Sequence, residues 1–149
     1  MRVVVQRVSE GSVKAAGENY ERNIGKGVVV LLGIKTGDSE NDVNFLADKV
    51  SGLRIFQDQN GKMNLSLKDI DGEALIISQF TLYGDASRGN RPGFTEAAKP
   101  ETAIPLYEKF IHRMQSNLGN DRVGSGIFGA MMEVKIINDG PVTIIIDSK

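Results

Sequence analysis

The chain predicts a single layered α/β domain, with helices laid on a sheet and a second sheet layer behind it. Three observations lead there. Apolar, strand-like runs bounded by turn residues recur along most of the chain. Two segments carry apolar residues at helical spacing. No linker, internal repeat or low-complexity tract divides the 149 residues. A chain of that size buries roughly 68–70% of its unfolded surface, enough for a core without staples.

The elements follow in order. Arg2 to Val8 is valine-rich and predicts a first strand. Ser12 to Ala16 and Tyr20 to Ile24 flank Gly17-Glu18-Asn19, a hairpin tip. After Gly25-Lys26-Gly27, the run Val28 to Ile34 is apolar without alternation, as in a strand covered on both faces. Ser39 followed by Glu40-Asn41-Asp42 is an N-cap signature, and Val43, Leu46, Val50 and Leu53 form one helical stripe. Arg54 to Gln57 predicts a short strand, Asp58-Gln59-Asn60-Gly61 a turn, Met63 to Leu67 an extended segment and Glu73 to Phe80 a buried strand. Gly84 to Lys99 has no period, and loops that long in compact domains are often functional. A second helix starts near Thr102, tolerates Pro105 in its first turn, and ends at Gly119-Asn120. Ile104, Tyr107, Phe110, Ile111, Met114 and Leu118 are its expected apolar face. Beyond the glycine-rich Gly124 to Gly129, Ala130 to Asn138 and Val142 to Asp147 read as two strands joined at Asp139-Gly140-Pro141.

Composition removes several classes of chemistry. The net charge of −1 gives no global positive field for nucleic acid, leaving only a local basic patch. Without cysteine there is no disulfide, thiolate nucleophile or cysteine-based zinc site. A single histidine, His112, builds no multi-histidine metal site, so neither metal nor cofactor is expected. No apolar run reaches the roughly 18 residues of a membrane helix, and no secretory h-region opens the chain, so a cytoplasmic protein with no membrane contact is expected.

Two segments draw attention for chemistry. Ser78-Gln79-Phe80-Thr81-Leu82 and Asn138-Asp139-Gly140-Pro141-Val142-Thr143 each interrupt a strand-like run with small polar groups. The hydroxyls of Ser78 and Thr81 need a base to act as nucleophiles. His112 sits mid-helix and reads as a solvated helix residue, which argues against a Ser-His-Asp triad. There is no Gly-x-Ser-x-Gly, Walker loop or dinucleotide fingerprint. What remains is a site of neutral dipoles: the Ser78 hydroxyl, the Gln79 amide and the N–H groups around Phe80, converging on a carbonyl or oxyanion. The plainer alternative is that these residues merely end a strand. Gly140-Pro141 suits bare main chain lying against a ligand, or a simple hairpin turn with a trans bond. Arg88, Arg91 and Lys99 are phosphate contacts or solvated loop charges, and Phe94 or Tyr83 could stack on an unpaired base. Arg7 either holds a backbone carbonyl or faces water.

In this order and spacing, the segments resemble the D-aminoacyl-tRNA deacylase family over nearly the whole chain. The resemblance rests on Gln6-Arg7-Val8, Gly61-Lys62-Met63-Asn64-Leu65, Ser78-Gln79-Phe80-Thr81-Leu82, Arg88-Gly89-Asn90-Arg91-Pro92, Phe128-Gly129-Ala130 with Met132, and Asn138-Asp139-Gly140-Pro141-Val142-Thr143. It implies one domain over 1–149, a layered α/β fold of mostly antiparallel sheet with two main helices, and a homodimer. It implies hydrolysis of the ester joining a D-amino acid to the 3′ adenosine of tRNA, with glycyl-tRNA, mischarged on tRNA-Ala, as a second substrate. The implied catalytic segment is Ser78, Gln79, Phe80 and Thr81. Gly140, Pro141, Thr143, Met132 and Arg7 are the implied substrate-binding residues, and Arg88 and Arg91 the RNA contacts. A cis Gly140–Pro141 peptide is implied to reach across the dimer to the partner's Ser78, its carbonyls holding the α-ammonium and leaving no room for an L side chain. Attack by water, assisted by the ribose 2′-OH, is favoured over a Thr81 nucleophile. A non-catalytic dimeric module binding an amino acid or a tRNA 3′ end is the main alternative, and a Ser/Thr esterase of small substrates the third.

Overall fold

A computed structural model describes residues 1–149. The strands are β1 (Arg2–Ala15), β2 (Tyr20–Ile24), β3 (Gly27–Gly33), β4 (Phe56–Gln57), β5 (Met63–Leu65), β6 (Glu73–Ser78), β7 (Val123–Ser125) and β8 (Glu133–Asp147), with helices α1 (Glu40–Gly52) and α2 (Pro100–Leu118). The main sheet runs β2-β1-β3-β6-β7, and β8 pairs with β1 as well. Three strands can share β1 because it is long and irregular. Its first half lies between β3 and the end of β8, and its second half between β2 and the start of β8. The two short strands expected over 2–8 and 12–16 are therefore one strand, carried past Ser9 and Glu10 by shifts in register against β8.

The sheet is mixed. β1 is antiparallel to all its neighbours, whereas β3–β6 and β6–β7 are parallel. The parallel pairing begins where Gly27 meets Glu73, and a Cβ at Gly27 would lie 1.8 Å from the Glu73 carbonyl oxygen. The expected second layer is largely the same sheet curled back on itself. The Tyr20 hydroxyl on β2 donates to the Ser125 carbonyl on β7 at 2.7 Å, so the sheet is nearly closed. Only β4 and β5 form a separate two-stranded piece.

The unbroken apolar run of β3 is explained by burial on both faces. Val28, Val30 and Leu32 join the main core under the helices, with Leu46, Val50, Phe110 and Met114, while Val29 packs inside the curl with Val8, Val13, Leu75 and Ile77. At the start of α1 the Asp42 carboxylate accepts the Ser39 N–H at 2.8 Å, as the N-cap pattern predicts. α2 starts at Pro100 rather than Thr102, because proline is well placed in a first helical turn. Its buried face runs through Ala103, Leu106, Tyr107, Phe110, Met114 and Leu118, which turns Ile104 outward and corrects the predicted stripe. No helix is long and apolar enough to cross a membrane.

Candidate active site

β6 ends at Ser78, two residues earlier than the apolar pattern indicates, because Phe80–Tyr83 form a 3-10 turn. The Gln79 N–H still donates to the Leu32 carbonyl at 2.8 Å, extending the ladder with β3 and fixing where the turn begins. Arg2 secures its far end, with Nη1 on the Leu82 carbonyl at 3.2 Å and Nε and Nη2 on the two Asp147 carboxylate oxygens at 2.8 and 3.1 Å. The N–H groups that open such a turn have no partner within it and point at whatever lies in front.

In front lies a cavity of about 330 Å³. Leu32, Ile34, Ile77, Ser78, Gln79 and Phe80 line it from the sheet side, and Ala98, Ala103 and Phe128 to Met132, with Val134, close it. No titratable side chain is among them. Phe80 is 56% exposed at the mouth and meets Phe94 edge to face, ring centroids 5.0 Å apart. That contact ties the 84–99 loop to the cavity. A main-chain pairing of Asp85 with Gly93 closes the loop, and Arg88 and Arg91 stand exposed at its tip. Thr81 is exposed beside the cavity, and its Oγ1 accepts from Gln79 Nε2. The only histidine, His112, is exposed on α2 and is not among the cavity residues.

A larger hollow, about 440 Å³, lies behind the turn. Six of its charges form three pairs: the Met1 ammonium with Asp38 at 2.6 Å, Arg2 with Asp147, and Lys35 with Glu96 at 3.1 Å. Burial, with the nearby Asp38 charge, pushes the Tyr83 hydroxyl there up to about 12. Through Arg2 on the Leu82 carbonyl, these pairs anchor the turn from behind.

The second predicted segment is built differently from the hairpin that its sequence allows. β8 is one continuous strand whose two halves both pair with β1. Asn138 stands opposite Val8 and Thr143 opposite Gln6, so Asp139, Gly140, Pro141 and Val142 face Arg7 alone and bulge out of the sheet. The Gly140–Pro141 peptide is cis. Arg7 is 7% exposed, and its guanidinium fills the gap beneath the bulge. Nε donates to the Asp139 carbonyl at 2.9 Å and Nη1 to the Ile55 carbonyl at 2.6 Å. Gly140 has φ +131°, and a Cβ there would sit 2.8 Å from Arg7 Nη2. Glycine is thus required by backbone conformation and by the close approach of Arg7.

Ser78, Gln79, Phe80 and Met132 accordingly share one cavity, with Thr81 beside it. Arg7, Gly140, Pro141 and Thr143 form a second group that does not line this cavity within the subunit. Sequence reasoning missed Leu32 and Ala98, which reach the cavity only through strand register and the return of the long loop. It also missed Ile55, which contributes a carbonyl to Arg7 and no distinctive side chain.

A family model described as D-Tyr-tRNA(Tyr) deacylase matches residues 4–147. The chain belongs to this deacylase family. A D-aminoacyl-tRNA deacylase of Porphyromonas gingivalis is 54% identical over 148 residues, covering 99% of this chain and 97% of the relative. One of Flavobacterium psychrophilum is 52% identical over 149 residues, covering 100% and 98%. The enzyme is thus a D-aminoacyl-tRNA deacylase, a hydrolase acting on the tRNA ester bond. The solved structure of the c-Myc DNA Unwinding Element Binding Protein superposes on the deacylase with a TM-score of 0.93 at 38% identity, covering 100% of this chain and 99% of that one. A probable eukaryotic D-amino acid tRNA deacylase shares the fold at 20% identity, with a TM-score of 0.82 over 98% of each chain.

Proposed function

We propose that the deacylase works in the cytoplasm as a homodimer that frees D-amino acids from the 3′ adenosine of tRNA, and that it rejects L-amino acids by steric exclusion rather than by preferring D side chains. One observation carries this. The cavity at Ser78-Gln79-Phe80 and the exposed Gly140–Pro141 bulge are separate in one subunit, although the family resemblance implies one site for both. A second copy would bring its bulge over this cavity and complete it.

The chemistry follows from the groups in the cavity. The terminal adenosine enters between apolar walls, and Phe80 with the 84–99 loop forms the mouth. Arg88 and Arg91 contact phosphates beyond it. The N–H groups opening the turn at Phe80 and Thr81 stabilise the oxyanion as a water oxygen bonds to the ester carbon. The ester C–O3′ bond then breaks and O3′ takes a proton. With no acid or base lining the cavity, the ribose 2′-OH relays that proton. Ser78 and Gln79 orient the ester, and Met132 packs against the bound nucleoside. The Gly140 and Pro141 carbonyls accept the α-ammonium, and their main chain occupies the space an L side chain would need. Glycine has no side chain to exclude, so glycyl-tRNA-Ala is also hydrolysed.

The test compares D-Tyr-tRNA, L-Tyr-tRNA and glycyl-tRNA-Ala, with sedimentation for the oligomeric state. Release from the first and third, with the second intact and the protein dimeric, is expected. Release from none would make the protein a binding module. Release from all three would make it a general esterase.

A further inference from the structure

We propose that Asn138 is a positioning residue that sets how far the Gly140–Pro141 main chain projects, and through that the preference for D over L substrates. This rests on the exclusion of L side chains by that main chain.

Four residues of β8 facing Arg7 alone lose the ladder hydrogen bonds that would hold them in a regular strand. Val142, the last of them, is out of register with β1, and its N–H donates instead to Asn138 Oδ1 at 3.0 Å. Asn138 is itself in register, opposite Val8. Its side chain thus spans the mouth of the bulge from one flank to the other. At its far end Nδ2 donates to Thr143 Oγ1 at 3.2 Å, and Gln6 Nε2 reaches the same oxygen at 3.4 Å. The two ends of the amide work in opposite senses, one accepting and one donating, which fixes its orientation. Arg7 holds the opposite side through the Asp139 carbonyl. Asp139, Gly140 and Pro141 can only project from between these two braces.

Asparagine suits the position because both functions must come from one short, planar group. Aspartate keeps the acceptor for Val142 but has no N–H for Thr143, whose hydroxyl must turn and donate to the carboxylate instead. Alanine loses both. Unlike Arg7, Asn138 supports nothing outside the bulge and its foot, so its loss bears on projection more than on the fold.

The experiment measures single-turnover hydrolysis of D-Tyr-tRNA and L-Tyr-tRNA by wild type, Asn138→Ala and Asn138→Asp, with thermal unfolding of each. The D-over-L rate ratio of the alanine variant is expected to fall about fivefold or more, roughly the factor carried by one net hydrogen bond. The aspartate variant should fall between it and wild type. A folded Asn138→Ala enzyme with the wild-type ratio overturns the proposal. If the alanine variant does not fold, Asn138→Leu, which keeps the side-chain shape and removes both hydrogen bonds, decides: a lowered ratio supports the role and an unchanged one removes it. A wild-type enzyme that hydrolyses both substrates equally would instead overturn the exclusion mechanism beneath it.

Discussion

Replacing Arg7 by methionine, similar in length and uncharged, tests the support of the bulge most directly. Arg7 is buried and gives hydrogen bonds to the Asp139 carbonyl at 2.9 Å and the Ile55 carbonyl at 2.6 Å. Its nearest carboxylate oxygen, on Asp139, is 3.6 Å away on a half-exposed side chain, so the two carbonyls are its principal partners. A hydrogen bond from a charged donor contributes about 1.5–3 kcal/mol net, giving roughly 3–6 kcal/mol for the pair. Removing a buried cation also removes its desolvation penalty, which offsets part of that loss. A net destabilisation of about 2–4 kcal/mol results, or roughly 4–16 °C in Tm for a domain near this size. Urea and thermal unfolding at one protein concentration measure it, since dimerisation would make both depend on concentration. Single-turnover deacylation below the variant's Tm then reports function: D-Tyr-tRNA hydrolysis should fall, because Arg7 also sets the Asp139 end of the bulge. A methionine variant within about 0.5 kcal/mol of wild type would refute the energetic part, that being the scatter of ordinary surface substitutions. A destabilised variant with wild-type rate and stereochemical preference would refute the positional part.

Three further outcomes are expected. Thr81→Ala should keep its turnover within about threefold, whereas loss of a covalent nucleophile would cost on the order of 10⁴-fold or more. Replacing both Arg88 and Arg91 by glutamine should weaken tRNA binding and flatten the plot of log K against log salt by about 1.5, and an unchanged slope in filter binding would remove them from the RNA contact. The Arg113 hydrogen bonds, and then that of Asn117, lower the Asp48 carboxyl from 3.8 to about 2. Because the folded-state value is the lower one, the stabilisation is complete above about pH 4 and is lost as pH falls towards 2. Asp48→Asn should therefore destabilise by less than about 1 kcal/mol at neutral pH, Asp48 being half-exposed, and the difference from wild type in urea unfolding should vanish near pH 2.

Local chemistry made much of this protein legible. Ser39 and Asp42 cap α1 where their spacing places them, and the unalternating Val28–Leu32 run lies between two buried faces. The failures share one cause. Nothing near Glu10 in the chain marks 2–15 as one strand, since that depends on register with β8 more than a hundred residues away. Phe80 continues an apolar run in sequence, yet it opens a 3-10 turn once Gln79 is bonded to Leu32. Ile104 fits a helical stripe and faces outward, because the rotation of α2 is set by the sheet beneath it.

The sequence alone determined the inventory: the strand and helix segments, the missing thiols, the solitary histidine, and the family likeness carried by the Ser78 and Gly140 segments. Only the tertiary structure decided that Asp139 to Val142 are a bulge in a strand rather than a hairpin, that Arg7 is buried beneath it, and that this group stands apart from the Ser78 cavity. Secondary structure and reactivity arise largely from neighbours in the chain and from residue type. Register, burial and the meeting of distant carbonyls with one guanidinium arise from the packing of strands far apart in sequence, and no local pattern encodes them.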